Sequence, residues 1–149
     1  MAPIVVSVLV DAPLSRVWDA VSDLESHPTW MKDADYLAFE SVQHRGIGTR
    51  IQVATRVGPF RTDDPIEVVE WEERRSIGVR HAGVVSGQGR FELAAMAGGT
   101  RFTWTEELHF PWWLGGRVTL WLARPILERI WRGNLRRFQL LIETGLSDR

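Results

Sequence analysis

The residues PWWLGGRVTLWLARPILERIWRGNLRRFQLLIE, at positions 111–143, decide the fold of this chain. Bulky apolar residues recur in them at steps of three and four, which predicts one long amphipathic helix. At 1.5 Å per residue this helix extends about 45 Å, and alone it cannot keep its apolar stripe dry. Pro125 lacks a backbone donor, so we expect a kink or a break there, with a weaker first half and a firmer second half. The rest of the chain must cover this helix.

The first forty residues predict a strand followed by two short helices. Positions 4–10, IVVSVLV, are a β-branched run with apolar residues on both faces, as in a strand that is covered on both sides. Pro13 suits a first helical turn, and apolar residues at helical spacing follow it for about three turns. Ser26 can cap a second short helix that carries Trp30. Positions 36–42 then predict a second strand.

In positions 48–110 the apolar period changes to two, which is typical of a meander of antiparallel strands. The Gly-Pro pair at positions 58–59 predicts one turn, and the Gly-Gly pair at positions 98–99 predicts another, of the two-residue kind that needs positive φ. The element order is a strand, two helices, about six strands and a long helix. We therefore predict an α+β fold in a single domain, residues 1–149.

A turn at positions 98–99 determines which residues of the last two strands face each other. It pairs Leu93 with Trp104 and Phe91 with Glu106. The apolar faces of both strands then coincide. Glu106 is the exception, because this register places its carboxylate on the inner, apolar face.

The preceding hairpin brings a histidine toward that carboxylate. A three-residue loop at positions 84–86 pairs His81 with Gly89 and keeps the strands in phase. The backbones of His81 and Glu106 are then about 12 Å apart, since neighbouring strands are separated by about 4.8 Å. The missing side chain of Gly89 lies between them. We expect the resulting gap to suit a ligand.

The composition excludes several classes of function. With 149 residues, 44% hydrophobic, 25% charged and a net charge of -1, the chain gives no global reason to expect nucleic acid. No apolar run reaches about eighteen residues and no basic segment precedes the N-terminal strand, so neither a membrane span nor secretion is predicted. The absence of cysteine excludes disulfides and fits a cytoplasmic protein. Four scattered histidines and no phosphate-binding loop predict no metal and no cofactor.

With these elements in place the chain resembles the START-like superfamily, whose members include birch-pollen allergens, lipid-transfer START domains and bacterial polyketide cyclase/dehydrase-type proteins. The segments that carry the resemblance are DAPLSRVWDAVSD, LESHPTWM, GQGRFELAAMAGGTRFTWTEELHF and the terminal helix. The resemblance implies a helix-grip fold, in which a seven-stranded antiparallel sheet curves around the long helix and encloses an apolar cavity. The resemblance predicts the fold specifically but predicts the function poorly, because the superfamily includes carriers, cyclases, hydrolases and ligand sensors.

Glu106 and His81 are the candidates for chemistry. A carboxylate on an apolar face must be paired, hydrated or protonated, and burial raises the pKa of such a group. Glu106 is therefore a polar group of the cavity, the partner of an inward-facing Arg, or a residue near an open cavity mouth. His81 can orient a ligand carbonyl or act as a base. Alternatively, His81 has no functional role and only forms hydrogen bonds with neighbouring residues.

The remaining site candidates are apolar and aromatic side chains that we expect to line the cavity and contact a flat, hydrophobic ligand. They are Trp30, Val79, Phe91, Leu93, Phe102, Trp104, Leu108, Trp121, Trp131 and Leu135. The same positions can also form packed core, and the sequence leaves that alternative open.

Trp112 and Trp113 precede the long helix and cannot both face the core from one helix, so we expect one to be exposed. They either touch a membrane or a partner at the cavity entrance, or plug the bottom of the cavity. Six Arg lie between positions 117 and 137 against the single acidic residue Glu128. This basic side is either a solvated face or, with the Trp pair, a docking surface for an anionic membrane or an acidic protein.

Three functional hypotheses follow. The leading one is a monomer or homodimer that binds a small hydrophobic or aromatic molecule between the sheet and the terminal helix. The second is a polyketide aromatase/cyclase or dehydratase in which Glu106, with His81, moves protons. The third is a membrane- or protein-docking module that uses Trp112, Trp113 and the Arg-rich helix face.

Overall fold

The computed structural model describes residues 2–147 of the chain, and it contains seven strands, two α-helices and two short 3₁₀ helices. In chain order these are β1 (Ile4–Val10), α1 (Leu14–Ser22), a 3₁₀ helix (Leu24–Thr29), β2 (Ala34–Phe39), β3 (Arg50–Val57), β4 (Phe60–Glu72), β5 (Ser76–Ala82), β6 (Ser86–Met96), β7 (Gly99–His109), a second 3₁₀ helix (Trp112–Leu114) and α2 (Gly116–Ser147).

The strands form one antiparallel sheet in the order β1-β7-β6-β5-β4-β3-β2, which curls into a half-barrel. Each strand from β2 to β6 pairs with the next along the chain, and β1 joins the sheet beside β7. The predicted seven-stranded helix-grip fold is therefore confirmed. No described helix has the length and apolar character that crossing a membrane requires.

The first strand differs from the prediction on one face. Ile4, Val6 and Val10 are buried under α1 and α2, but Val5 and Leu9 on the other face are exposed. The expectation that β1 is covered on both sides is wrong. The reason is that both α-helices pack on the concave face of the sheet, so the convex face has no cover.

The observed register of β6 and β7 is shifted by two residues from the predicted one. Leu93 pairs with Phe102 and Phe91 pairs with Trp104, so the turn lies at positions 97–98. Gly99 belongs to β7, where a Cβ atom would collide with the carbonyl oxygen of Val10. This glycine is thus required by the close approach of β1 and also by its own positive φ of 141°. A shift of two residues preserves which face each side chain occupies.

The hairpin between β5 and β6 shows a related shift. Its three-residue loop lies at positions 83–85, one residue earlier than predicted. His81 consequently pairs with Gly87, and Gly89 pairs with Val79 on one side and with Glu106 on the other. His81 and Glu106 are therefore diagonal neighbours across β6.

The long helix is continuous through Pro125, so the expected break is absent. The hydrogen bond that Pro125 cannot donate would have gone to the carbonyl of Trp121, on an exposed stretch of the helix. In the second half, Trp131, Leu135 and Phe138 are buried against the sheet. In the first half up to Pro125, only Leu120 among the apolar residues is fully buried. The second half of the helix is therefore packed more tightly against the rest of the protein than the first half, as predicted.

Candidate functional site

A cavity of about 660 Å³ lies between the concave face of the sheet and the side of α2. Its wall is mostly apolar and is built from inward-facing side chains of β3 to β7, together with α2 residues such as Leu127 and Trp131. It opens where four side chains that line it are also exposed to solvent. This mouth rim consists of Phe60, Val84, Leu114 and Ile126.

The structure divides the predicted wall residues into three groups. Val79, Phe91, Trp104, Leu108 and Trp131 line the cavity, as do His81 and Glu106. Trp30, Leu93, Phe102 and Leu135 are buried in the core that supports the cavity wall.

Trp121 forms the third group and corrects the prediction, because it is 66% exposed and does not belong to the cavity wall. Trp131 faces inward and stacks on Trp104, with ring centroids 5.2 Å apart. Trp121 precedes Trp131 by ten residues on the same helix, a spacing that turns it about 80° away from that direction.

His81 and Glu106 meet directly at one side of the cavity. Nε2 of His81 lies 3.0 Å from Oε2 of Glu106, and the indole Nε1–H of Trp104 donates to Oε1 at 3.0 Å. Both carboxylate oxygens of this buried side chain therefore have partners, as burial of a charge requires. The contact leaves Nδ1 of His81 as the ring nitrogen available to a ligand, and no described residue hydrogen-bonds to it.

The carboxylate of Glu106 occupies the space that the missing side chain of Gly89 provides. A Cβ atom on Gly89 would lie 2.8 Å from Cδ and 2.9 Å from Oε2 of Glu106, and closer still to Oε1. The expectation that this gap receives a ligand is therefore wrong. Gly89 instead lets the carboxylate lie flat over β6 and reach the imidazole on β5.

The protonation of His81 depends on two opposing effects. Burial by itself lowers the pKa of the imidazole, but the hydrogen bond and charge of Glu106, together with the charge of Asp64, raise the pKa of His81 above its ordinary value of 6.5. Protonated, Nδ1 can donate to an acceptor atom of a ligand; neutral, with Nε2–H donated to Glu106, it can accept.

Asp64 is a polar wall residue that the sequence analysis did not identify. The hydroxyl of Thr62 donates to its Oδ2 at 2.7 Å, whereas the buried Oδ1 has no hydrogen-bond partner among the described residues. A Cβ atom on Gly83 would collide with Oδ1, so this glycine makes room for the carboxylate. The alternation of β4, which puts Thr62, Asp64 and Ile66 on one face, was the available signal.

His27 is a second cavity residue that the sequence analysis left out. It is buried, and its Nε2–H donates to the carbonyl oxygen of Val21 at 2.7 Å. Its ring also packs on Trp30 and Phe91. Burial lowers the pKa of His27 from 6.5 to about 4, although the hydrogen bond to Val21 and the charge of Asp23 oppose that effect. This imidazole is therefore neutral near pH 7.

No group of three or more His, Asp or Glu side chains within the described range 2–147 is arranged to hold a metal ion. Trp112 and Trp113 are both exposed, by 87% and 60%, and neither lines the cavity. The alternative in which this pair plugs the cavity is wrong, because neither indole lines the cavity, although Leu114 of the same 3₁₀ helix does.

The fold is similar to several solved structures. TTHA0849 from Thermus thermophilus is 18% identical, with a TM-score of 0.79, over 96% of this chain and 98% of that one. The di-domain ARO/CYC StfQ from the steffimycin biosynthetic pathway is 11% identical, with a TM-score of 0.80, over 98% of this chain. DynU16, from the dynemicin biosynthetic locus, is 21% identical, with a TM-score of 0.69, over 97% of this chain. This chain spans 52% of StfQ and 48% of DynU16.

No curated protein matches this sequence. The family model described as "Polyketide cyclase / dehydrase and lipid transport" matches residues 1–143, which is nearly the whole chain and includes every strand and the cavity. The chain therefore belongs to the polyketide cyclase/dehydrase and lipid transport family.

Proposed function

We propose that this protein binds a small hydrophobic molecule in the cavity between the sheet and α2, with an oxygen atom of the molecule directed toward His81. The observation that carries the proposal is an apolar cavity of about 660 Å³ with its polar side chains concentrated on neighbouring strands. This volume lies within the range of about 300–1,000 Å³ that is typical of ligand pockets. The apolar wall buries the ligand, and the few polar groups orient the ligand within the cavity.

The polar groups narrow the chemistry of the ligand. Nδ1 of His81 can donate to a carbonyl oxygen, whereas the unpartnered Oδ1 of Asp64 is buried against Gly83 and does not face the cavity. The aromatic side chains of Phe91, Trp104 and Trp131 in the cavity wall favour an aromatic or conjugated skeleton. The best-fitting class is therefore a planar, apolar molecule with a carbonyl group, such as an aromatic polyketide.

Native mass spectrometry of the protein purified from its own host tests this proposal. We expect a bound molecule of the stated class, which solvent extraction then identifies. A chain that carries nothing and also fails to bind the hydrophobic dye anilinonaphthalene sulfonate would overturn the proposal.

The His81–Glu106 contact supports a second candidate, a cyclase or dehydratase. A protonated imidazole at the cavity wall can give its proton to a ketone oxygen while an enol carbon of the same ligand attacks the carbonyl carbon. The enol hydroxyl becomes a ketone and releases its proton to water, from which the imidazole regains one. Glu106 would hold the imidazole in position and stabilise its positive charge. The ARO/CYC designation of StfQ is in keeping with this chemistry.

Turnover of a poly-β-ketone thioester mimic, followed by liquid chromatography and mass spectrometry, separates the two candidates. For an enzyme, we expect His81→Gln to abolish ring formation while the mimic still binds. For a carrier, the wild type binds the mimic and releases it unchanged. If the wild type shows no turnover and both His81→Gln and Glu106→Gln lose binding of the mimic, the protein is a carrier rather than an enzyme.

A further inference from the structure

The start of α2 and the 3₁₀ helix before it present a row of large apolar side chains to solvent. We call this row the apolar patch, and it consists of Trp112, Trp113, Leu114, Val118, Trp121, Leu122 and Ile126. A monomeric domain rarely exposes so many neighbouring large apolar groups without a partner for them. This clustering of exposed apolar side chains indicates that the patch is a contact surface.

Helical spacing makes the patch continuous. Val118, Leu122 and Ile126 follow at steps of four and so lie above one another on the outer side of α2. The backbone N–H of Gly115 donates to the carbonyl of Trp112, so the turn that carries the two tryptophans leads directly into the first turn of this helix. Leu114 and Ile126 belong to the mouth rim as well as to the patch. The patch therefore borders the entrance of the cavity.

The charges around the patch are basic. Positions 108–127 contain no Asp or Glu, and Arg117 lies in the first turn of α2 beside Val118. On the same outer side of the helix, Arg129 and Arg136 follow the apolar residues, and both are exposed. None of these three Arg forms an ion pair with another described residue. A row of apolar side chains with unpaired Arg side chains beside it is complementary to a surface whose outer layer is negatively charged and whose interior is apolar.

We propose that the apolar patch docks on a lipid bilayer that contains anionic phospholipids. The apolar side chains would enter the interfacial layer, where Trp is favourable because its ring is apolar and its N–H is polar. Arg117, Arg129 and Arg136 would contact the phosphates. A symmetric pair of chains fits less well, since antiparallel helices would place Arg117 of one copy beside Arg129 of the other.

Docking in this orientation puts the cavity mouth against the bilayer. Phe60 and Val84, on the other side of the mouth rim, are also exposed apolar side chains and would enter the same layer. A hydrophobic molecule can then pass between membrane and cavity without crossing water. This consequence rests on the proposed ligand-binding function, whereas the docking itself does not.

Sedimentation of the full chain with vesicles tests the docking. We expect wild type to bind vesicles of phosphatidylcholine mixed with phosphatidylglycerol, and to bind phosphatidylcholine alone more weakly. The double variant Trp112→Ala/Trp113→Ala loses two large interfacial contacts, so we expect its affinity for the mixed vesicles to fall about tenfold or more. Arg117→Glu should remove much of the preference for anionic lipid and weaken the salt dependence.

The control is Tyr36→Ala/Val42→Ala, which removes two exposed apolar side chains outside the patch and should bind as wild type does. Because all the substituted residues are exposed, circular dichroism should show folded protein in every variant. Dye binding by the double variant should also be unchanged, which separates docking from the ligand function. The proposal is overturned if wild type fails to bind anionic vesicles, if the double variant binds as tightly, or if light scattering shows a dimer that the double variant dissociates.

Discussion

Gly89 determines where the carboxylate of Glu106 can lie. We expect Gly89→Ala to push this carboxylate away from His81, because the added Cβ would lie 2.8 Å from its Cδ. Burial would then be opposed mainly by the charge of Asp64, so the pKa of His81 should fall. The lost hydrogen bonds should lower the free energy of unfolding by about 1–2 kcal/mol. Titration of the imidazole by NMR and urea denaturation measure these two effects.

The pH dependence of the Gly89→Ala effect follows from the direction of the shift. A folded pKa above 6.5 stabilises the protein fully at pH values below 6.5, and this contribution disappears as the pH rises through the folded pKa. The variant should therefore be most destabilised in mildly acidic solution and less so in alkaline solution. Gly133→Ala, in a helix where a Cβ has room, is the control and should leave the His81 titration unchanged. An unaltered titration in Gly89→Ala would contradict the assigned role.

His27 should give the opposite pH dependence. Its folded pKa of about 4 lies below the ordinary 6.5, so the unfolded chain binds the proton more readily. The free energy of unfolding should consequently fall by about 3 kcal/mol as the pH drops from above 6.5 to below 4. In His27→Gln, whose amide can still donate to the carbonyl of Val21, we expect this fall to be absent. Urea denaturation across that pH range measures it, and an equal fall in both proteins would contradict the assignment.

At the scale of the element, α2 has two halves with different tasks. The second half packs on the sheet and is anchored by Asn134, which accepts from the N–H of Lys32 and donates to Asp33. The indole of Trp131 donates to the same aspartate. The first half carries the cavity wall on one side and the apolar patch on the other. One helix thus stabilises the fold at one end and presents a surface at the other.

Two leucines of α2 test this division. Leu135 is 1% exposed and Leu122 is 60% exposed. We expect Leu135→Ala to lower the free energy of unfolding by about 2–5 kcal/mol, because it leaves a cavity in the core. Leu122→Ala should cost about 0.5 kcal/mol or less, since its side chain is already in water. Chemical denaturation compares the two, and similar losses would show that the first half is also packed.

At the scale of the whole molecule, the sheet and α2 together enclose a volume that neither closes alone. Ala123 lines the cavity from α2, so Ala123→Phe should fill part of it and weaken binding of anilinonaphthalene sulfonate about tenfold. Ala94→Phe, on an exposed position of β6, makes the same change outside the cavity and should bind the dye as wild type does. Fluorescence titration measures both affinities. Equal affinities would place the dye elsewhere on the protein.

The sequence by itself determined the faces of the elements, and therefore most of the fold. Alternation placed Phe102, Trp104 and Glu106 on one side of β7, and this assignment survived a register error of two residues because side-chain direction repeats every two residues. Periodicity likewise identified α2 and the buried stripe of its second half, but most of the apolar residues that it assigned to the same stripe in the first half are exposed. These properties are local, since they depend only on which residues are near one another along the chain.

Only the tertiary structure decided which residues pair across the strands and which side chains are exposed to solvent. The observed registers of β5, β6 and β7 convert His81 and Glu106 from separate wall residues into a hydrogen-bonded pair. The cavity positions of Asp64 and His27, and the exposure of Trp121, depend on which elements pack over them. Spacing along the chain carries no information about those contacts, because burial is a property of the assembled layers rather than of any one segment.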